Sequence, residues 1–502
     1  MNVAQNLERS ALYFPDRPAV IEGEREVSLG EFNQESSRVA TALMGLGVSP
    51  GEHVALCAPN SYEWLAFYFG ALKAGAVAVT ISSALSRAEL APLLADARPR
   101  VLFTSEDKLD ALGGRQDHPY LDKVISAGGD IPFQKLIKAG SPSFKAIERE
   151  RDDTAAVLYT GGTTGRPKGV MLTHENIKVT AHNTCHCERS SQEDRALCFL
   201  PLNHVFAQIY IANSLVYAGG CLVIQDSFDL ERVLEAVRRQ RVTKFYAVPT
   251  IYHRLLQLDR LQEKLGSLGY CFSAAASLAA EAVREWRSRL GLTIHEGYGL
   301  TETASLTTYN HYHRHVVGSV GSPVNTIEVQ ISDSQGRLRP VGEEGEIVIQ
   351  GPNVMKGYLN DPDGTEAAFR GEWLRSGDIG RFDEEGYLYL VDRIKDLIIT
   401  GGENVYPREI AEALYLRPEV GECSIIGLPD QEWGEKVIAC IALKKRDQPV
   451  NAAKLKSFLQ ARLAPCKVPK EFIFLNELPK SSTGKILKRQ LKKEIAARID
   501  RE

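Results

Sequence analysis

The chain carries almost no surplus of charge. Sixty Lys and Arg face 64 Asp and Glu, a formal net of −4 over 502 residues, so no bulk field draws it to nucleic acid and any anion site has to be local. A disulfide framework is also missing. The nine cysteines, at 57, 185, 187, 198, 221, 271, 423, 440 and 466, are odd in number and irregular in spacing, which fits a reducing compartment. The first residues show no basic start followed by an apolar run, so no signal or transit peptide is read and the cytoplasm is the expected location. Only Phe199 to Gln225 forms a long stretch without Asp, Glu, Lys or Arg. Pro201, Asn203, His204, Asn213 and the Gly219-Gly220 pair within it argue for buried core and pocket wall over a membrane span. Internal repeats and low-complexity tracts are absent too.

What remains is an ordinary globular composition, 44% hydrophobic and 25% charged, in a chain long enough for two or more units. Ser28 and Glu31 form a capping box at a helix start, and Phe32, Val39, Leu43 and Leu46 follow at helical spacing. Short apolar runs then alternate with helical stretches: HVALCA from His53, AVAVTI from Ala76, VLFT from Val101, AAVLYT from Ala155, KFYAV from Lys244 and GYCFSAA from Gly269. Such grammar predicts an α/β fold with parallel sheets covered on both faces. From about 318 to 392, closely spaced short strands predict a β-barrel-like unit. Beyond Asp392 the pattern is a small α+β module with Pro407 in the first turn of a helix, so the expected division is a large domain, 1–394, and a small one, 395–502.

One segment is unusually dense in chemistry. Thr160 to Gly169 reads TGGTTGRPKG after the strand AAVLY, and Gly161, Gly162 and Gly165 let backbone approach a polyanion with no Cβ in the way. Thr160, Thr163 and Thr164 add hydroxyl donors, and Lys168 adds charge. A Walker A string cannot be aligned on it. Two histidine-rich stretches, His182 to Cys187 and His311 to His315, lack a second ligand pair at metal-site spacing and are read as surface helix and loop.

The loop, together with YGLTET (298–303), SGD (376–378), DRIKDLIITGGENVYPREI (392–410) and PKSSTGKILKRQL (479–491), resembles the adenylate-forming enzymes, which include acyl-CoA and aryl-CoA synthetases, peptide-synthetase adenylation domains and beetle luciferases. The motifs stand in the family's order and span Thr160 to Leu491. The resemblance implies ATP, Mg²⁺ and CoA as cofactors. It implies that Glu302 holds the magnesium with Thr164 as a second contact, and that Thr301 donates to the α-phosphate. Asp378 would accept from the ribose hydroxyls and Arg393 would pair with the ribose and phosphates. Ala274, Ala275 and Ala276 would lie under an adenine stacked on Tyr298. Lys485 is expected to be the catalytic cation, delivered on a mobile loop to charge developing at the α-phosphate. Lys395 matches the hinge, and Gly401, Gly402, Glu403 and Asn404 match the CoA-channel loop.

By the same analogy the acid pocket is walled by His204, Val205, Phe206, Val248 and Pro249, with Gly297 and Gly299 beside the adenylate. Peptide-synthetase domains place an Asp near the position of Val205, and no carboxylate lies between Phe199 and Gln225, which disfavours an amino-acid substrate. The expected activity is an ATP-dependent acid:CoA ligase acting on a hydrophobic monocarboxylic, fatty acid. Its alternatives are an aryl, alicyclic or dicarboxylic acid ligase, a ligase loading a carrier protein, or a non-catalytic nucleotide-binding relative. No nucleic-acid partner is expected, and the chain would act as a monomer or homodimer. Eight basic against three acidic residues from Lys480 to Glu502 would suit at most a peripheral contact with anionic lipid.

Overall fold

The computed structural model describes residues 1–113, 115–160, 167–276, 278–444, 450–481 and 484–499. Four sheets organise the chain. Strands His53–Cys57, Val77–Thr80, Val101–Thr104, Lys123–Ile125 and Thr154–Thr160 pair in parallel within a seven-stranded sheet, and Lys168–Thr173 returns antiparallel to Thr154–Thr160. The glycine-rich segment therefore joins the two arms of a hairpin. Gly161, Gly162, Thr163, Thr164 and Gly165 themselves lie outside the described residues.

A second, nine-stranded sheet runs parallel from Pro18–Glu22 through Cys221–Ile224, Arg195–Cys198, Lys244–Ala247 and Tyr270–Ser273 to Ile294–Tyr298. Helix Tyr62–Lys73 is apolar on every side, and a helix of that kind must be buried on every side. It packs Trp64, Phe67, Tyr68 and Phe69 into the core shared by the two sheets. In the uncharged stretch, residues Phe206–Asn213 form a π-helix, wider than an α-helix, with the Ser214 hydroxyl donating to the Ile209 carbonyl. No described helix is long and apolar enough to cross a membrane.

The barrel-like region is an antiparallel sheet of five strands, Glu328–Ser332, Gly345–Gln350, Phe369–Arg370, Trp373–Phe382 and Leu388–Arg393, whose ladder stays open among the described residues. The C-terminal sheet combines Ile398–Thr400, Glu403–Val405, Val420–Asp430, Gly434–Leu443 and Glu471–Leu475. Each of its faces has its own core. One is closed by helices Pro407–Tyr415 and Ala452–Gln460, the other by Lys488–Ile499 through Leu491 and Ile495.

Candidate active site

Asp378 and Arg393 sit directly opposite each other on adjacent strands, next to a register shift at Ile379/Gly380. Asp378 is only 5% exposed, and its two carboxylate oxygens face different donors. Arg393 Nε donates to Oδ1 at 2.9 Å and the Tyr298 hydroxyl donates to Oδ2 at 2.8 Å. Tyr298 ends a parallel strand, where open α/β sheets place their ligands. Burial, then the Asp378 charge, push its phenol well above the ordinary value, so it stays a neutral donor.

Four residues on from Tyr298, Glu302 lies in a turn over Thr301–Thr303. The Tyr358 hydroxyl donates to Glu302 Oε1 at 3.0 Å, and the Lys168 ammonium stands 4.3 Å over the Tyr358 ring and 3.1 Å from Asp361. Lys168 and Glu302 are thereby brought into one cluster with Thr160, the last residue of the preceding strand. Thr164 is outside the described residues, and no group of three metal-binding side chains occurs among the described ones. Glu302 alone suits Mg²⁺, which takes one or two carboxylates and fills its remaining positions with phosphate oxygens and water.

The C-terminal part adds cations to the same place. Burial and then Arg393 pull the Lys485 ammonium down to about 8, with Lys395 adding to the effect and Asp378 and Asp396 opposing it. The side chain stays reachable by solvent. Lys395, the expected hinge residue, is depressed by burial and by Arg393 and also feels Asp396, Asp378 and Glu302, so its charge lies within electrostatic reach of the cluster. Burial first and the Arg393 charge second depress both lysines, while Asp378 keeps Arg393 charged, and a group of cations of this kind suits a polyanion. Neighbouring Asp396 is tied to Lys488 at 3.1 Å.

His204 faces Lys485. Burial and then that ammonium hold its imidazole down at about 4, and its Nδ1 accepts from the Phe206 N–H at 3.3 Å, so a neutral ring protonated at Nε2 lines the cleft. Val205, Phe206, Val248 and Pro249 are buried around it. A Cβ at Gly484 would lie 3.2 Å from Val248, which places the Lys485 loop against this wall. Gly297 and Gly299 are close-approach positions: a Cβ would fall 2.9 Å from the Phe272 ring at the first and 2.0 Å from the Ser305 carbonyl oxygen at the second.

Ala274, Ala275 and Ala276 follow the strand Tyr270–Ser273, and Ala275 is left-handed at φ 69°. Gly401, Gly402, Glu403 and Asn404 are not brought to the cluster. Gly401 and Gly402 form the exposed turn between Ile398–Thr400 and Glu403–Val405, Glu403 and Asn404 open the second of these strands, and the Gly401 N–H donates to the Trp433 carbonyl at 2.8 Å.

Sequence reasoning missed two features. Tyr358, the bridge between Lys168 and Glu302, belongs to none of the motifs. The other is an aromatic packing behind Gly297: Tyr210 stacks on Phe272 at 4.6 Å, Phe206 meets both edge-on, and Phe272 stacks on Tyr309 at 5.9 Å. Beneath it a buried Glu188 accepts from Lys244 at 3.0 Å, Tyr246 at 2.5 Å and Tyr270 at 3.1 Å. The aromatic content of KFYAV, GYCFSAA and the uncharged stretch was the available signal.

Residues 7–359 match the family model of the AMP-binding enzymes, and residues 409–485 that of their C-terminal domain. The chain is 34% identical to a feruloyl-CoA synthase from an Amycolatopsis species over 97% of each chain. It is 33% identical to a long-chain-fatty-acid–CoA ligase from Bacillus subtilis, over 97% of this chain and 93% of that one. Among solved structures, ATP-bound MatB from Rhodopseudomonas palustris is 32% identical with a TM-score of 0.92, covering 98% of this chain and 99% of that chain. An anthranilate CoA ligase in complex with anthranoyl-AMP is 31% identical with a TM-score of 0.94, covering 99% and 98%.

Proposed function

The chain belongs to the AMP-binding enzymes and is an AMP-forming acid–CoA ligase, and from that premise we propose a compact hydrophobic monocarboxylic acid, aryl or short-chain, as its substrate. The carrying observation is the Tyr210–Phe272 stack, which lies against Gly297, so that an acyl chain extending past Gly297 would have to displace it. Between the fatty and the aryl expectations, this packing favours the aryl one.

In the proposed mechanism the acid's carboxylate, ionised at neutral pH, needs no general base. Its oxygen attacks the α-phosphorus of ATP and pyrophosphate leaves. Lys485, Arg393 and Lys395 hold the negative charge that gathers there, with Thr301 donating to the α-phosphate and Lys168 facing the leaving group. Mg²⁺ held by Glu302 would neutralise the leaving phosphates. Asp378 accepts from the ribose hydroxyls while Tyr298 and Arg393 orient it. In the second step the CoA sulfur attacks the acyl carbonyl and AMP departs. For that step residues 395–502 turn about Lys395 relative to 1–394 and bring the 401–404 loop to the thiol's path.

The test is AMP and pyrophosphate release over a panel of ring acids, short acids and long-chain acids, each followed by thioester formation with CoA. Compact acids are expected to exceed long-chain acids by about tenfold or more in kcat/KM, the scale that pocket fit supplies. Tyr210→Ala should shift the preference toward longer acids by opening the stack. Equal preference in wild type and variant would remove the aromatic packing as the determinant.

The pH profile offers a further check. A cation titrating at about 8 is charged below that pH and neutral above it, so kcat/KM for pyrophosphate release should decline as pH rises through about 8. His204, at about 4, adds no limb near neutrality. Lys485→Arg should move the decline out of the measurable range. A profile flat to alkaline pH in the wild type would contradict the assignment.

A further inference from the structure

We propose that helix Pro407–Tyr415 is the clamp that seats Lys485 over the adenylate cluster, and that His253 is the positioning residue that receives it. Arg408 and Tyr415 are seven residues apart, two helical turns, and so share one face. Both ends of that face meet the large part of the chain. At one end the Tyr415 ring lies parallel to the His253 imidazole, with centroids 5.6 Å apart and planes inclined by 12°. The Tyr415 hydroxyl accepts from the Cys423 N–H at 3.3 Å, which fixes the ring to the C-terminal sheet. At the other end the Arg408 N–H donates to Asp392 Oδ2 at 2.8 Å, while the Arg408 guanidinium pairs with Glu412 of the same helix at 2.8 Å.

The clamp and the cation share a lever. His253 belongs to helix Pro249–Leu255, one turn after Thr250, and a Cβ on Gly484 would stand 3.4 Å from the Thr250 hydroxyl. Seating Tyr415 on His253 therefore seats the residue next to Lys485. Burial and then Lys444 lower the imidazole's affinity for a proton, against Glu422 and Glu285, so the stack is between neutral rings. Glu422 is itself paired with Lys480 at 2.6 Å. A stack without an ion pair across it can open, as a second arrangement of the C-terminal part requires.

The inference rests on the two-step ligase reading, and measuring the half-reactions separately tests it. His253→Ala and Tyr415→Ala should each slow pyrophosphate release by up to about tenfold, the worth of one aromatic pair, and leave thioester formation from pre-made acyl-adenylate within about twofold. The double variant should be no slower than the worse single one, because both remove the same contact. His253→Phe, which keeps a flat ring, should restore the first half-reaction. Equal slowing of both half-reactions, no slowing, or failure of the Phe variant to rescue would overturn the clamp. Wild-type protein releasing no pyrophosphate would instead sink the ligase reading itself.

Discussion

Lys485→Ala is expected to slow pyrophosphate release by about 10²–10³-fold while thioester formation from supplied acyl-adenylate stays near the wild-type rate. Two anions, a carboxylate and a polyphosphate, must come within bonding distance. Arg393 is paired with Asp378 here, Lys395 lies within electrostatic reach, and Lys485 arrives from a different part of the chain. Burial depresses both lysines and Arg393 depresses each of them further, so negative charge developing beside them meets cations that gain from its arrival. Removing one leaves the fold intact, because Lys485 makes no ion pair within the described residues. Rates measured for the two half-reactions on one protein sample decide it. Equal loss in both would assign Lys485 a structural role.

Asp378→Ala should be the most damaging single change on the nucleotide side, acting on both binding and stability. It would leave the Tyr298 hydroxyl without its acceptor and Arg393 without its counter-charge, in a site where Asp378 is 5% exposed. Breaking a fully buried pair costs about 3–5 kcal/mol, and the cost here should fall below that range because the Arg393 side chain keeps 36% of its surface in solvent. KM for ATP should rise by about two orders of magnitude through loss of charge-assisted hydrogen bonds to the ribose. Thermal midpoint and ATP affinity should fall together. Asp378→Asn, which retains an acceptor for Tyr298, should recover much of the stability and little of the affinity. Recovery of both would show that the carboxylate acts on packing alone.

The order of motifs and the alternation of apolar runs with helices could be read along the chain, and so could Glu302, Asp378 and Lys485 as candidate site residues. Each of these depends on local chemistry: glycine where a turn or close approach leaves no room for a Cβ, β-branched runs where both faces of a strand are covered, a capping box where Ser28 meets Glu31. The charge-free stretch was likewise legible as buried wall, although its π-helical winding was not, because hydrophobic content says nothing of helix pitch.

Contacts between distant segments were beyond that reading. Tyr210 stacks on Phe272, Tyr358 crosses to Glu302, Lys395 comes within reach of Arg393, and Tyr415 settles on His253. None of these pairs has a periodicity, since side chains far apart in the chain meet only when sheets and helices pack, and packing selects shape over pattern. Chemistry was therefore inscribed residue by residue, while which distant side chains meet came from the way the folded layers close on one another.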